Sequence, residues 1–407
     1  MLAAFTYRDF RVQWFGACTS SIGTWTQTTA QNWMVLSLTG SAFFLGLDAF
    51  LQQLPIMLFT LIGGVLADRR DRRQTLLASQ YLQMATAVTL AVLVYFGLIN
   101  IWYILLLSFI TGCAQAFGGP AYQSLIPSLV EKKDLPNPVA LNSIQFNVAR
   151  VLGPLAFAAT IGAFELWGFS DVQGMAACFA LNAISFLVVI YALMSLRIKH
   201  IPTTAITSMR DELRGGLSYV RHHDSLVGLI VLAAMTTFLG LAVLQFLPAF
   251  AQQVFHGGAA TYSHLLAFSG AGSVVGALVV AWLGKFKRMG LTALLVQAIY
   301  GLLILVFAMS RVLWLSDILL FLTGAALMMV FSTVTSLIQL IAPNEMRGRV
   351  MSIYMVAFRG GMPLGSLVSG YLATSLGAPA VIAINGVLLV VVAGYFLLIH
   401  SHGIREA

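Results

Sequence analysis

The chain has 407 residues, 59% of them hydrophobic and only 9% charged, with a mean hydropathy of +0.90. That balance excludes a soluble globular domain, and since a span needs ~20 apolar residues plus its turns, the length suits about twelve membrane helices and little else. The formal charge of +8 would suit a nucleic-acid partner if it were gathered on one face, but nineteen of the 22 Lys and Arg fall in alternate loops. This is the positive-inside pattern: it predicts a multi-pass protein of the cytoplasmic (inner) membrane with both termini cytoplasmic, and no nucleic-acid partner.

In chain order the predicted spans are 12–38, 43–67, 74–97, 101–127, 138–165, 173–196, 223–254, 261–284, 290–309, 313–341, 349–375 and 379–400. The residues before the first lack a cleavable signal pattern, so that span is expected to be retained. Turn chemistry separates the spans at Leu38-Thr39-Gly40-Ser41, Leu135-Pro136-Asn137-Pro138, His256-Gly257-Gly258 and Ala342-Pro343-Asn344. Cys18, Cys113 and Cys178 are odd in number and lie within apolar stretches, which predicts buried packing residues rather than disulfides or metal ligands.

The first span is unusually polar. Ser20, Thr24, Gln27 and Gln31 follow one face, and Ser21, Trp25, Thr28 and Asn32 the adjacent one. Facing lipid, such a stripe would be expensive, so it is expected to line a cavity with Gln115 and Tyr122 of the fourth span, Gln245 of the seventh, and Ser332, Thr333 and Ser336 of the tenth. In the alternative reading Ser and Thr bond their own helix, and Gln and Asn join helices together.

The second span carries Asp48 and ends in Gly63-Gly-Val-Leu-Ala-Asp-Arg-Arg-Asp-Arg-Arg73, a pair of glycines and then acids among four arginines. The glycines permit close helix approach, and the charges stop the helix outside the lipid. The polar stretch 197–222 repeats Ile206, Met209, Leu213, Leu217 and Val220 at helical spacing among charges, which predicts an amphipathic helix on the cytoplasmic face. It divides the chain into an N-terminal six-helix half, 1–196, and a C-terminal half, 223–407. An internal repeat supports the halves, since Arg150 through Pro154-Leu155 in the fifth span matches Arg359 through Pro363-Leu364 in the eleventh.

Asp48, Arg150 and Arg359 are the ionisable residues placed clearly within spans, with Glu165 near an outer end and the other carboxylates at or beyond boundaries. Such residues default to functional candidates. A desolvated Asp48 could exchange a proton, or simply be hydrated near its helix end. Arg150 and Arg359 could stiffen hinges at Gly153, Pro154 and Pro363, or bind an anionic group on a substrate through paired donors.

The loop Gly64, Asp68, Arg69, Arg72 and Arg73 resembles the one between the second and third helices of the major facilitator superfamily, with Asp71 where a glycine is common. The resemblance implies an all-α polytopic membrane protein of twelve transmembrane helices in two pseudo-symmetric halves, with the substrate site between them. It also implies a conformational latch in which Asp68 meets the start of the eleventh helix, near Arg349; the plainer reading is that the arginines only set topology.

Gly23-Thr24-Trp25, Ala30-Gln31-Asn32-Trp33, Asp134-Leu135-Pro136-Asn137, Ala140-Leu141-Asn142-Ser143 and Glu345 through Ser352 further resemble the efflux group containing enterobactin-exporter and macrolide-efflux-like proteins. This resemblance implies a secondary active exporter of small amphipathic organic compounds, monomeric, without a cofactor and driven by a proton gradient through alternating access. Import or facilitation of an organic solute, or a non-transporting receptor or scaffold, are the alternatives. No nucleotide loop, metal spacing or nucleophile elbow supports an enzyme.

Overall fold

The computed structural model describes residues 3–69, 71–196, 209–284, 287–343 and 345–398, and for 3, 61–69, 132, 136 and 209–214 the backbone alone. The described residues are helical throughout, with no strand among them. In order the helices are α1 (Arg8–Thr39), α2 (Ala42–Arg69), α3 (Arg72–Tyr95), α4 (Ile101–Leu125), α5 (Pro136–Leu166), α6 (Asp171–Ser195) and α7 (Met209–Arg221). There follow α8 (Asp224–Val254), α9 (Ala259–Leu283), α10 (Met289–Met309), α11 (Leu313–Ile341), α12 (Arg347–Leu376) and α13 (Ala378–Leu398).

Ten of these are long and apolar enough to cross a membrane. α1 and α12 are equally long but too polar for that criterion, and with them the described residues hold twelve long helices, as expected from the apolar windows. Helix ends follow local chemistry. Gly40, at φ 62°, closes α1 in the left-handed region and donates its N–H to the Leu36 carbonyl. Asn100 caps α4, Ser170 and Gln173 form a reciprocal capping box on α6, and Pro136 opens α5 where its missing N–H costs nothing.

Two compact units form, Met1–Gly40 with Leu51–Ala205, and Ser41–Phe50 with Ile206–Ala407. The first turns of α2 therefore belong with the second unit rather than the first. Within the first unit α1 packs on α5 and α6, and α3 on α4 and α6. Within the second, α12 packs on α8 and α7, α9 on α11, and α10 on α11 and α13. Both units share the pattern in which a leading helix, α1 or α8, rests against the helix carrying the Arg-to-Pro repeat.

α8 is not a uniform helix: π-helical segments at Thr236–Gly240 and Phe250–Val254 flank the helical piece that contains Pro248. The helix expected in the polar stretch 197–222 is present from Met209; residues 197–208 lie outside the described residues, and in α7 Leu217 is exposed while Gly216 and Val220 form the buried side. One expectation needs correction. Of the cysteines only Cys178 is buried; Cys18 and Cys113 are half-buried.

Candidate functional site

The polar face of α1 is engaged inside its own unit. Gln27 accepts a hydrogen bond from Asn182 Nδ2 of α6 at 2.7 Å, and Gln31 Nε2 donates to Ser108 Oγ of α4 at 2.8 Å. Thr28 and Thr29 bond back to the carbonyls of Thr24 and Trp25. Thr26 bonds both Ile22 and, at 3.1 Å, the Gly153 carbonyl of α5. These are the bonds that the helix-joining reading requires. Gln27, Gln31 and Asn32 are buried, whereas Thr24 and Thr28 keep partial exposure.

A second network lies nearer the start of α1. Tyr122 donates to Asn142 Oδ1 at 2.9 Å and approaches Gln145 Oε1 at 3.3 Å, and Gln145 Nε2 donates to Ser21 Oγ at 2.9 Å. Trp14 Nε1 donates to the Leu141 carbonyl, and Tyr7 donates to Asp134 Oδ2 at 2.7 Å. The stretch from Asp134 to Asn142 thus ties α5 and the turn before it to α1 and α4. The Asp134 bond raises the Tyr7 phenol above its ordinary value, and the Glu131 contact at 2.8 Å raises the Lys133 ammonium likewise. Gln115 makes a long contact of 3.4 Å with Gln83 of α3.

The Arg-to-Pro repeat packs similarly in each unit but carries its arginines differently. A Cβ on Gly153 would strike Trp25 of α1, and one on Gly361 or Gly365 would strike Thr237 or Phe238 of α8, so all three glycines permit close crossings. Pro154 and Pro363 sit inside continuous helices. Arg150 is 7% exposed, whereas its counterpart Arg359 is exposed. In the second unit Gln245 Nε2 donates to the Leu45 carbonyl of α2 at 2.9 Å, Thr333 is buried, and Ser332 and Ser336 are half-buried.

At the α2–α3 turn, Gly64, Asp68 and Arg69 lie in the last turns of α2, and their side chains fall outside the described residues. Asp71 does not merely replace a turn glycine: its carboxylate accepts from Arg73 N at 2.9 Å and caps α3. Arg72 donates to the Ser124 carbonyl near the end of α4 at 3.1 Å, and Arg73 to the Met194 carbonyl near the end of α6 at 2.6 Å. Both guanidinium groups thereby satisfy carbonyls at helix C-termini, where the helix dipole favours positive charge. Arg349, in the first turn of α12, lies against Gly215 and Gly216 of α7.

Asp48 is 3% exposed, buried rather than hydrated at its helix end. A further carboxylate, Asp317, was read from the sequence as a boundary residue, but it lies buried inside α11 and pairs with His264 of α9 at 3.3 Å. Also hidden in apolar runs were Asn182 and its second-unit counterpart Asn385, which donates to the Leu239 carbonyl and to Ser369 Oγ, each at 3.1 Å. The signal was available as a matched pair, Leu181-Asn182-Ala183 and Ile384-Asn385-Gly386. A cavity of about 490 Å³ opens between α3 and α4, lined by Asp71, Gln74, Thr75, Ser79, Cys113 and Phe117. Among the described residues no three His, Cys, Asp or Glu gather as a metal site.

Residues 1–405 match the family described as transmembrane secretion effector. The macrolide efflux protein A of Streptococcus pyogenes is 22% identical over 94% of both chains, and the staphyloferrin A transporter of Staphylococcus aureus is 24% identical over 93% of both. The enterobactin exporter EntS of Citrobacter koseri is 25% identical over 90% of this chain and 82% of its own. A bacterial homolog of the human lysosomal transporter Spinster shares the fold at a TM-score of 0.75, with 14% identity over 98% and 97% of the two chains, and a D-xylose–proton symporter does so at 0.74, with 14% identity over 97% and 98%. With its all-α polytopic fold and a match over nearly its whole length, this chain belongs to the transmembrane secretion effector family of major facilitator transporters, and is not an enzyme.

Proposed function

We propose that the protein is a secondary active exporter of small amphipathic organic compounds, macrolide-like or siderophore-like, driven by proton exchange through alternating access. What carries this reading is the similarity, over more than nine tenths of both chains, to a protein named for macrolide efflux and another named for staphyloferrin A transport. The polar face of α1 supports it, because Thr24 and Thr28 retain exposure in a helix too polar for lipid contact throughout. In this reading the protein lies in the inner membrane as a monomer with both termini cytoplasmic, and it uses no cofactor. Asp68 and the arginines around it act as the latch and Asp48 carries a proton. An arginine, Arg150 or Arg359, meets acidic groups on a substrate.

Cells expressing the protein should retain less of some members of a panel of a macrolide, a catecholate, a cationic dye and a neutral amphiphile than cells without it. An uncoupler should remove the difference. Asp48→Asn should keep substrate exchange but lose the dependence on the gradient, and Asp68→Asn should slow turnover with affinity kept. Net uptake instead of efflux, or efflux indifferent to the uncoupler, would overturn the proposal.

A further inference from the structure

Two helices of the second unit, α9 and α11, begin at the same end and bring an imidazole to a carboxylate. His264 Nδ1 lies 3.3 Å from Asp317 Oδ2, with the imidazole side chain 50% exposed and the carboxylate 8%. The other carboxylate oxygen, Oδ1, is buried and accepts no hydrogen bond from the described residues. Burying an ionised carboxylate so thinly bonded is costly unless a positive charge faces it, and the only one the pair itself can supply is the protonated imidazole. When the proton leaves, the closed arrangement holds an uncompensated charge, and hydration of Asp317 favours opening it.

The fold does not demand this acid. The fifth residue of α11 is Asp317, whereas the fifth residue of α4, its counterpart in the first unit, is Leu105, and both are buried. The elements around the pair carry other polar and titratable groups. The connection before α11 supplies Arg311, whose guanidinium donates to the Ala308 and Ser310 carbonyls at 3.3 and 3.2 Å, and Ser316 Oγ is bonded to Ser310 Oγ. α9 supplies buried Tyr262, the turn after α8 supplies His256, and α2 supplies Asp48. α10 contains no charged residue, and Tyr300 is its one titratable group. His264 also meets the edge of Phe268, with ring centroids 4.8 Å apart, which fixes the imidazole on the face toward α11.

We propose that His264 and Asp317 form a proton-binding site, additional to Asp48, that takes up and releases one proton in each transport cycle. The proton is taken from water onto imidazole Nδ1, held there as an imidazolium–carboxylate pair with Oδ2, and returned to water when the pair separates. Only the N–H bond forms and breaks. The coupling role rests on the proton-driven reading above.

The test uses the full chain in lipid nanodiscs with isotope-labelled histidine rings, titrated by NMR, with His264→Gln identifying the His264 resonance. Replacing the carboxylate in Asp317→Asn should lower the pH at which the His264 ring takes up its proton, because the imidazolium loses the opposite charge it faces. An unmoved midpoint overturns the site, whatever the protein transports. The same variants in proteoliposomes should lose the drive that an imposed pH gradient gives to erythromycin accumulation while retaining erythromycin exchange. Gradient-driven accumulation undiminished in Asp317→Asn overturns the coupling role. A wild type in which the gradient moves no erythromycin overturns the proton-driven reading itself, and is distinguishable because the NMR midpoint is read without substrate.

Discussion

The leading helices of the two units, α1 and α8, rest against equivalent neighbours by opposite means. α1 is rich in Thr, Gln and Asn, yet it stays a regular helix for 32 residues, because its polar side chains bond sideways to Asn182, Ser108 and the Gly153 carbonyl and leave the backbone ladder intact. α8 is apolar and irregular. Thr236 and Thr237 bond back to carbonyls one turn earlier, as Thr28 and Thr29 do in α1, but in α8 Pro248 also supplies no N–H, and Asn385 donates straight to the Leu239 carbonyl within a π segment. Side chains of α8 still reach out, Gln245 to the Leu45 carbonyl and Thr236 to Gln297, but α8 also opens a backbone carbonyl to a neighbouring helix. A π segment is a frequent mark of a functional position inside a helix.

The contrast is broken most severely at the glycine crossings. Gly365→Val places a methyl-bearing carbon on the Phe238 carbonyl, a backbone atom of the π segment, and should cost about 3 kcal/mol or more. Gly153→Val meets the Trp25 side chain first and should cost about 1 to 3 kcal/mol. Melting midpoints in detergent should fall in that order, and equal losses would remove the distinction between the closer crossing at Gly365 and the wider one at Gly153.

Next in size are the paired amides. Asn385→Leu frees a main-chain carbonyl and Ser369, whereas Asn182→Leu frees Gln27 and leaves Ser185 Oγ its bond to the Asn182 carbonyl, so the first should lower the melting midpoint further, within a range of about 0.6 to 2 kcal/mol. A larger loss for Asn182→Leu would place the tighter polar joint in the first unit.

The helix starts after α2 and α9 offer a finer test. Asp71→Ala removes a cap worth about 1 kcal/mol and should lower stability by that amount. Arg288, at the start of α10, stands at φ 61° with no side-chain cap, so Arg288→Gly should be neutral or stabilising by less than about 1 kcal/mol. The smallest effect concerns Tyr7, whose phenol is raised by its bond to Asp134. Its neutral form is the donor, so the link is present at neutral pH and is lost as pH rises past the ordinary phenol range. Tyr7→Phe should therefore match the wild type in alkali while being slightly less stable at neutral pH, measured by the same melts.

How much of this was legible from the residues follows from what each residue type can signal. Apolar windows bounded by Gly, Pro and Asn predict spans closely, and the tenth, 313–341, coincides with α11 (Leu313–Ile341). The π segments were hidden because Thr236 and Pro248 lie in a continuous apolar run whose period says nothing about which carbonyl each N–H reaches. Asp317 looked like an end residue because Ser310-Arg311 lies so near, and only the packing of α9 against α11 makes it a buried partner for His264. Asp71 was read as a lost glycine, yet an Asx cap and a glycine can end the same loop by different chemistry. The first-helix stripe was visible, but whether Gln27 faced a cavity or Asn182 depended on a residue 155 positions away.

The most direct measurement of the central claim is transport of an exported compound by the purified protein in proteoliposomes under an imposed pH gradient with the electrical potential clamped. Proton-driven export by exchange predicts that the compound accumulates on the acidic side, against its own gradient, and that collapsing the pH difference releases it. Accumulation on the alkaline side, or equilibration without regard to pH, would contradict the account.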